Sequence, residues 1–370
     1  MITNNILTSP DTLLKIKSER QCWQHGWQVG CSVLFLLLLL PVFSMAQQHK
    51  FFTWKQAPSI PDSVGFAGSY AGVSNDALLV GGGANFPDGI GPWGNTKKTW
   101  YDRVYVLESP EGEWREAGNF SRPMGYGVSL SWNDRVICIG GADGTDHYND
   151  VWTWQWKNNI LVTDTLPSLP HPLANGTGAI LNDILYVAGG LLHPNDTAGQ
   201  NTLWSLNLND PLDKMVWQKQ NPIPGPGRML CVAGVQDEHL YIFSGVQLYH
   251  DADRKLQRRY LKDAYRFHSQ KGWETISELP HPVAAAPSPA FSSGQSHLLI
   301  FGGDNGEHAS RIMELKGDHP GFSSTILAYH TITNTWSSID EVPQRIQERI
   351  RSPVTTPLVA WNGNVILPGG

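Results

Sequence analysis

Leu78-Leu79-Val80-Gly81-Gly82-Gly83 decides how this chain reads, because it returns. Val136-Ile137-Cys138-Ile139-Gly140-Gly141 repeats it, then Leu185-Tyr186-Val187-Ala188-Gly189-Gly190. Tyr241-Ile242-Phe243-Ser244-Gly245 follows with serine in place of one glycine. Leu298-Leu299-Ile300-Phe301-Gly302-Gly303 and Val365-Ile366-Leu367-Pro368-Gly369-Gly370 complete the set. The last glycines fall at 83, 141, 190, 245, 303 and 370, so the steps run from 49 to 67 residues. A short apolar run recurring at such a period signals an array of small sheets. Each run is too short for a helix and rich in β-branched and aromatic residues, which predicts a buried strand. The glycines after it permit positive φ or a close approach of two backbones.

Other features keep the same phase. An Asp or Thr leads into alternating apolar residues in Asp102-Arg103-Val104-Tyr105-Val106, Asp150-Val151-Trp152, Thr202-Leu203-Trp204-Ser205-Leu206 and Asp263-Ala264-Tyr265-Arg266-Phe267. A tryptophan then precedes a proline-rich turn at Trp54, Trp114, Trp217, Trp273 and Trp336, while the second unit has Ile160-Leu161-Val162 instead. This order resembles the kelch repeat, and the resemblance implies an all-β, six-bladed kelch-type β-propeller with four strands per blade around a channel.

Phe52-Thr53-Trp54 has the form of the last strand of a blade that nothing precedes. The last blade is therefore expected to be composite, joining this strand to strands near Leu358-Val359-Ala360 and Val365-Ile366-Leu367. Its third strand is expected to be missing, leaving the blade incomplete at the C-terminus, with open edges. Insertions follow three of the glycine marks, at 85–100, 249–262 and 304–321. The basic insertion at 249–262 is expected to be a solvated loop or short helix at the rim. A ligand site belongs at the channel mouth on the face that carries these loops.

The 370 residues could make two domains, but the repeat argues for one ring. With 16% charged residues and a net charge of -6, the chain shows no basic patch for nucleic acid. Its 15 tryptophans suit rings wedged between blades, and would also suit a sugar-binding surface. Lys15, Lys17 and Arg20 precede an apolar run that ends at Pro41, and Ser44-Met45-Ala46 places small residues before Gln47. That is a signal-peptide pattern, predicting a cleaved segment 1–46, a propeller over 47–370, and a periplasmic or secreted product. The apolar core is too short for a comfortable membrane span, so no stable span is expected after cleavage. Cys138 and Cys231 sit in strand patterns two blades apart and are expected to be buried free thiols. N-x-S/T acceptor patterns begin at Asn119, Asn175 and Asn195.

The histidines are scattered without metal-ligand spacing, so no metal is expected. No nucleophile elbow is present, and the paired glycines end strands without opening helices, so no cofactor is expected.

A second resemblance is more specific. Gly65-Phe66-Ala67-Gly68, Gly72-Val73-Ser74-Asn75-Asp76, Gly81-Gly82-Gly83-Ala84-Asn85-Phe86 and Tyr126-Gly127-Val128-Ser129-Leu130-Ser131-Trp132-Asn133 resemble blades of the N-acetylneuraminate epimerases, the sialic acid mutarotases. Their position near the N-terminus is similar to the cyclically permuted mutarotase group. The resemblance implies a periplasmic enzyme that interconverts the α and β anomers of a small sugar, N-acetylneuraminate. Ring opening needs a base on the anomeric hydroxyl and an acid on the ring oxygen. An arginine fork suits the sugar's carboxylate.

The family places a glutamate directly after one glycine mark and an arginine in a following Pro-Gly-x-Arg segment. Aligned by repeat, both are expected beyond Gly370, so neither is carried over, and the chain as written is expected to be inactive. Residues expected to line the same mouth are Asn85, Phe86, Arg122, Arg228, Asp304, Glu307 and Arg311. Arg228, after Gly225-Pro226-Gly227, is the leading candidate for a ligand contact, and Asp304 and Glu307 follow their mark much as the family glutamate would. The alternative is a non-catalytic secreted kelch propeller that binds glycan or protein. Homodimerisation stays open.

Overall fold

The computed structural model describes residues 2–5 as backbone, and residues 51–344 and 351–369 in full. The signal-peptide expectation falls largely on residues 6–50, outside the described residues.

The structure is an all-β propeller. Tyr70–Ser74, Ala77–Gly81, Arg103–Leu107 and Arg115–Asn119 form the first antiparallel sheet. Val128–Trp132, Arg135–Ala142, His147–Lys157 and Ile160–Leu166 form the second. The third pairs Thr177–Leu181, Ile184–Ala188, Leu203–Asn207 and Gln218–Lys219. The fourth pairs Val232–Gln236, His239–Phe243, Ala264–His268 and Gly272–Ile276. Phe291–Ser293, His297–Gly303, Ser323–His330 and Thr335–Glu341 make the fifth.

These are five blades of consecutive strands, not the six expected. The remaining sheet is composite, in the order Val359–Trp361, Asn364–Leu367, Ile2–Asn5 and Thr53–Gln56. The expected gap is therefore corrected as well. Ile2–Asn5 lies antiparallel between both neighbours, Ile2 opposite Leu367 on one side and Gln56 on the other. The physical reason is the unpaired ladder that an empty third place would leave on both sides of the gap.

The core is divided into layers between successive sheets. Tyr241 and Phe243 of the fourth blade pack against Leu298, Ile300 and Tyr329 of the fifth. Phe301 and Ile326 of the fifth meet Val365 and Leu367 of the composite sheet, whose other face sets Val359, Trp361 and Ile366 against Leu78, Val80 and Tyr105 of the first blade. Burial of these facing surfaces closes the ring from both sides.

The tryptophan marks are latches between blades. Trp114, Trp217, Trp273 and Trp336 each donate Nε1–H to a backbone carbonyl 50 to 59 residues earlier, on Pro58, Pro167, Asn221 and Ser277. The glycine marks are close approaches. A Cβ on Gly140, at φ +57°, would lie 2.4 Å from the Leu173 carbonyl oxygen of the next turn. Ser244 keeps this left-handed geometry at φ 56°, and its hydroxyl donates to the Leu261 carbonyl and accepts from the Val283 amide. Cys138 and Cys231 are free and buried, consistent with their strand context. The basic insertion is neither irregular loop nor helix but a hairpin of Val246–His250 and Leu256–Tyr260.

Candidate active site at the channel mouth

One residue from each sheet surrounds the channel with a left-handed backbone. These are Gly68, Tyr126, Asn175, Leu230, Ala285 and Thr355, with φ between 52° and 69°. Each N–H donates to the carbonyl of the preceding member, and Gly68 donates to Thr355, so six bonds of 2.7–2.8 Å close on themselves. This closed belt satisfies every one of these amide donors without water. It also presents the side chains of Tyr126, Asn175, Leu230 and Thr355 around a cavity at the channel axis.

The residue before each belt member bridges to the residue that follows a glycine mark. The pairs are Ala67 with Ala84, Gly125 with Ala142, Ala174 with Leu191, Met229 with Val246 and Ala284 with Asp304. The post-mark loops therefore stand beside the belt, where the sequence pattern placed them. Asp304 is the only acid among these five post-mark positions. Its carboxylate accepts from the Tyr260 hydroxyl at 2.7 Å and from the Gly306 amide at 2.8 Å. Burial, followed by the Asp304 hydrogen bond, pushes the Tyr260 phenol far up, so it remains a donor.

The insertion after the first mark folds back through a two-residue ladder, Ala84–Asn85 against Thr99–Trp100. This brings Lys98 to the belt. Its Nζ donates to the Tyr126 hydroxyl at 2.6 Å, and lies 4.1 Å from the Tyr126 ring centroid and 5.2 Å from that of Trp100. Burial lowers Lys98 to about 8 and raises Tyr126 to about 12. In belt order, Tyr126 is three places from Ala285, the neighbour of Ala284 and its partner Asp304. The Tyr126–Lys98 pair and the Asp304–Tyr260 pair thus flank opposite sides of the mouth.

Of the residues expected at the mouth, Asp304 stands beside the belt with a carboxylate held by two donors. Asn85 lies beneath the insertion and is 8% exposed, with its amide donating to the Gly65 carbonyl and accepting from Tyr101. Phe86 follows it, half-buried. Arg122 pairs with Asp150 at 3.2 Å and covers the Tyr148 ring, in a groove between the first two blades. Glu307 is exposed and 4.0 Å from His308, and Arg311 pairs with Glu314.

Arg228, the leading candidate for a ligand contact, is engaged inside the protein. Its side chain is fully buried and bound at both ends of its fork to Asp263. Burial works against its charge, but the Asp263 hydrogen bonds prevail and raise it.

Sequence reasoning missed Lys98, Tyr126, Tyr260 and Thr355 as site residues, and took Asn175 only as a glycosylation acceptor. Tyr126 and Asn175 were findable, since each stands directly before a glycine at the same repeat position. Lys98 carries no such signal, because only the folded insertion sets its place.

The sequence profile of the N-acetylneuraminate epimerases matches residues 42–163 and 166–314. This chain belongs to the N-acetylneuraminate epimerase family. The family is one of enzymes. An N-acetylneuraminate epimerase of Salmonella enteritidis PT4 (strain P125109) is 41% identical over 105 residues, covering 25% of this chain and 27% of that protein. One of Pasteurella multocida (strain Pm70) is 31% identical over 129 residues, covering 30% of this chain and 34% of that protein. The matched stretches thus span about a third or less of these curated relatives. The solved structure of YjhT superposes with a TM-score of 0.63 over 78% of this chain and 88% of its own, at 14% identity, a likeness of fold. Among the described residues of this epimerase-family chain, no helix is long and apolar enough to cross a membrane.

Proposed function

We propose that this chain interconverts the α and β anomers of N-acetylneuraminate at the mouth of its channel. The observation that carries the reading is the family match, which extends over the first four blades and into the fifth, taking in Lys98, Tyr126 and Asp304. Asp304 then takes the proton of the anomeric hydroxyl, and Tyr126 on the opposite side gives one to the ring oxygen. The bond between the anomeric carbon and the ring oxygen breaks, leaving an open-chain ketone. Rotation about the adjacent carbon–carbon bond, followed by reclosure with both protons returned, yields the other anomer. Because Lys98 donates to the Tyr126 oxygen, the phenolic hydrogen is left for the ligand. A positioned acid or base of this kind contributes roughly 10²–10⁴-fold.

The test is NMR saturation transfer between the anomers of N-acetylneuraminate. Accelerated exchange that drops in Asp304→Asn supports the reading. Binding without acceleration would make the chain a sugar-binding propeller. We also propose export to the periplasm or outside the cell, with loss of residues 1–46. N-terminal sequencing of the exported protein decides this, and an intact Met1 would refute it.

A further inference from the structure

We propose that Lys98, seated against Tyr126 and Trp100 at the channel mouth, is the docking point for the carboxylate of an acidic sugar. The assignment rests on the mouth being the ligand site proposed above, and it names the group that confers selectivity for an anion.

Four observations converge on Lys98. The first is that its loop is built rather than loose. The Asp88 carboxylate accepts from the amides of Ile90, Asn95 and Thr96, and the ladder at Trp100 fixes the loop's return. Next, the ammonium has three donors, and the recorded protein acceptor, the Tyr126 hydroxyl, uses one. Third, among the described residues no carboxylate lies within 4.0 Å of Nζ. The indole N–H of Trp100, beneath the same ammonium, is also buried without an acceptor.

The fourth observation is the charge balance. Burial alone holds Lys98 down to about 8, so no neighbouring charge compensates the cation. Tyr126, the titratable group in contact with it, stays a neutral phenol up to about 12. Gly144 packs on Trp100 from the second blade, and the nearby Asp143 is bound to Tyr148 and Thr145. Lys97 and Asp88 belong to the loop itself, and Asp88 is committed to the loop amides. Half-buried, unpaired and next to the cavity, the ammonium lacks the counterion that a sugar carboxylate would bring.

The sign of the pH effect follows. A bound carboxylate favours the charged lysine, so binding takes up a proton once the free protein has lost it. Affinity is then flat below about pH 8 and falls by up to about tenfold per unit above it.

The experiment titrates N-acetylneuraminate and its C1 methyl ester, by calorimetry from pH 6.5 to 9.5, into wild type, Lys98→Met and Lys98→Arg. The wild type is expected to prefer the acid and to show the slope for the acid alone. Lys98→Met loses roughly 10–100-fold for the acid and keeps its affinity for the ester. Lys98→Arg retains the acid and flattens the slope. Near-UV circular dichroism on each variant separates lost binding from lost folding, and the arginine variant answers if the methionine variant does not fold. Equal loss for acid and ester, a slope that survives in Lys98→Met, or no binding of the acid by wild type overturns the assignment. If the acid binds through Lys98 but its anomers exchange no faster than in buffer, the docking point stands and the mutarotase reading falls. If exchange is accelerated and Lys98→Met leaves acid affinity intact, the reverse holds.

Discussion

Arg228 and Asp263 grip each other through two parallel hydrogen bonds of 2.8 Å, with the arginine fully buried and the aspartate side chain 21% exposed. Asp263 directly precedes the third strand of the fourth blade, and Arg228 lies in the turn that enters that blade. The Arg228 carbonyl also accepts from the Gly190 amide at the third glycine mark. This pair ties two neighbouring blades through one turn. Removing one partner leaves a buried charge unpaired, so Arg228→Met or Asp263→Asn should cost about 3–5 kcal/mol. Urea unfolding measures it, and a loss under 1 kcal/mol would show that water reaches the site.

Asp304→Asn should lower the anomer-exchange rate by roughly 10²–10⁴-fold while leaving the fold intact, because an amide cannot take the hydroxyl proton. Tyr260→Phe, which removes one of two donors to Asp304, should have a smaller effect. The comparison is made on kcat by saturation transfer. Full activity in Asp304→Asn would move the base elsewhere on the mouth.

Lys98 should leave a mark on stability in the absence of ligand. Its folded pKa, about 8, lies below the ordinary lysine value of 10.5. Between those values the unfolded chain holds a proton that the folded chain has lost, so stability rises with pH across this window. The cost of burying the charge is fully present below pH 8. Other groups titrate there too, so the quantity to measure is the difference in melting temperature between wild type and Lys98→Met. Lys98→Met should be relatively more stable at pH 7 than at pH 10. A constant difference would refute the burial argument.

Cys138 and Cys231 should resist thiol reagents in the native protein and react once it unfolds. Burial holds Cys231 up to about 11 and pushes Cys138 well above its usual value, so neither supplies thiolate at neutral pH. Rapid labelling of the folded protein would mean that the blades open locally.

The proposed export would bear on the composite sheet. Removal of residues 1–46 would take away Ile2–Asn5 and leave the edges of Asn364–Leu367 and Thr53–Gln56 without that strand. Amide hydrogen exchange at Val365 and Lys55, opposite Asn4 and Thr3, should then be faster in a protein starting at Gln47 than in the full chain. Equal rates would show that the added strand does not protect its neighbours.

The blade framework was legible because its signals are local. Leu78 to Val80 followed by three glycines specifies a buried strand and a left-handed exit, and the phase of Trp114, Trp217, Trp273 and Trp336 follows from the same repeat. Chain order also required the composite sheet, since Thr53–Gln56 has no consecutive partners. The strand that fills its third place was not legible, because Ile2–Asn5 belongs to no repeat and its place is set by backbone pairing.

Asp304 could be read from its place after a glycine mark, which is a matter of counting. What Arg228 does could not. Pro226-Gly227-Arg228 looks the same in sequence whether the fork meets a ligand or an aspartate, and Asp263, 35 residues on, comes into reach only when the fourth blade folds. Lys98 is the opposite case, a charged residue in a polar insertion that gains its place when the loop returns to Trp100 and sets it against Tyr126. Sequence by itself determined the repeat, the strands, the buried thiols and the face that carries the loops, because each rests on neighbours in the chain. Only tertiary structure decided which cation is spent and which lacks a counterion, because pairing depends on distances between blades.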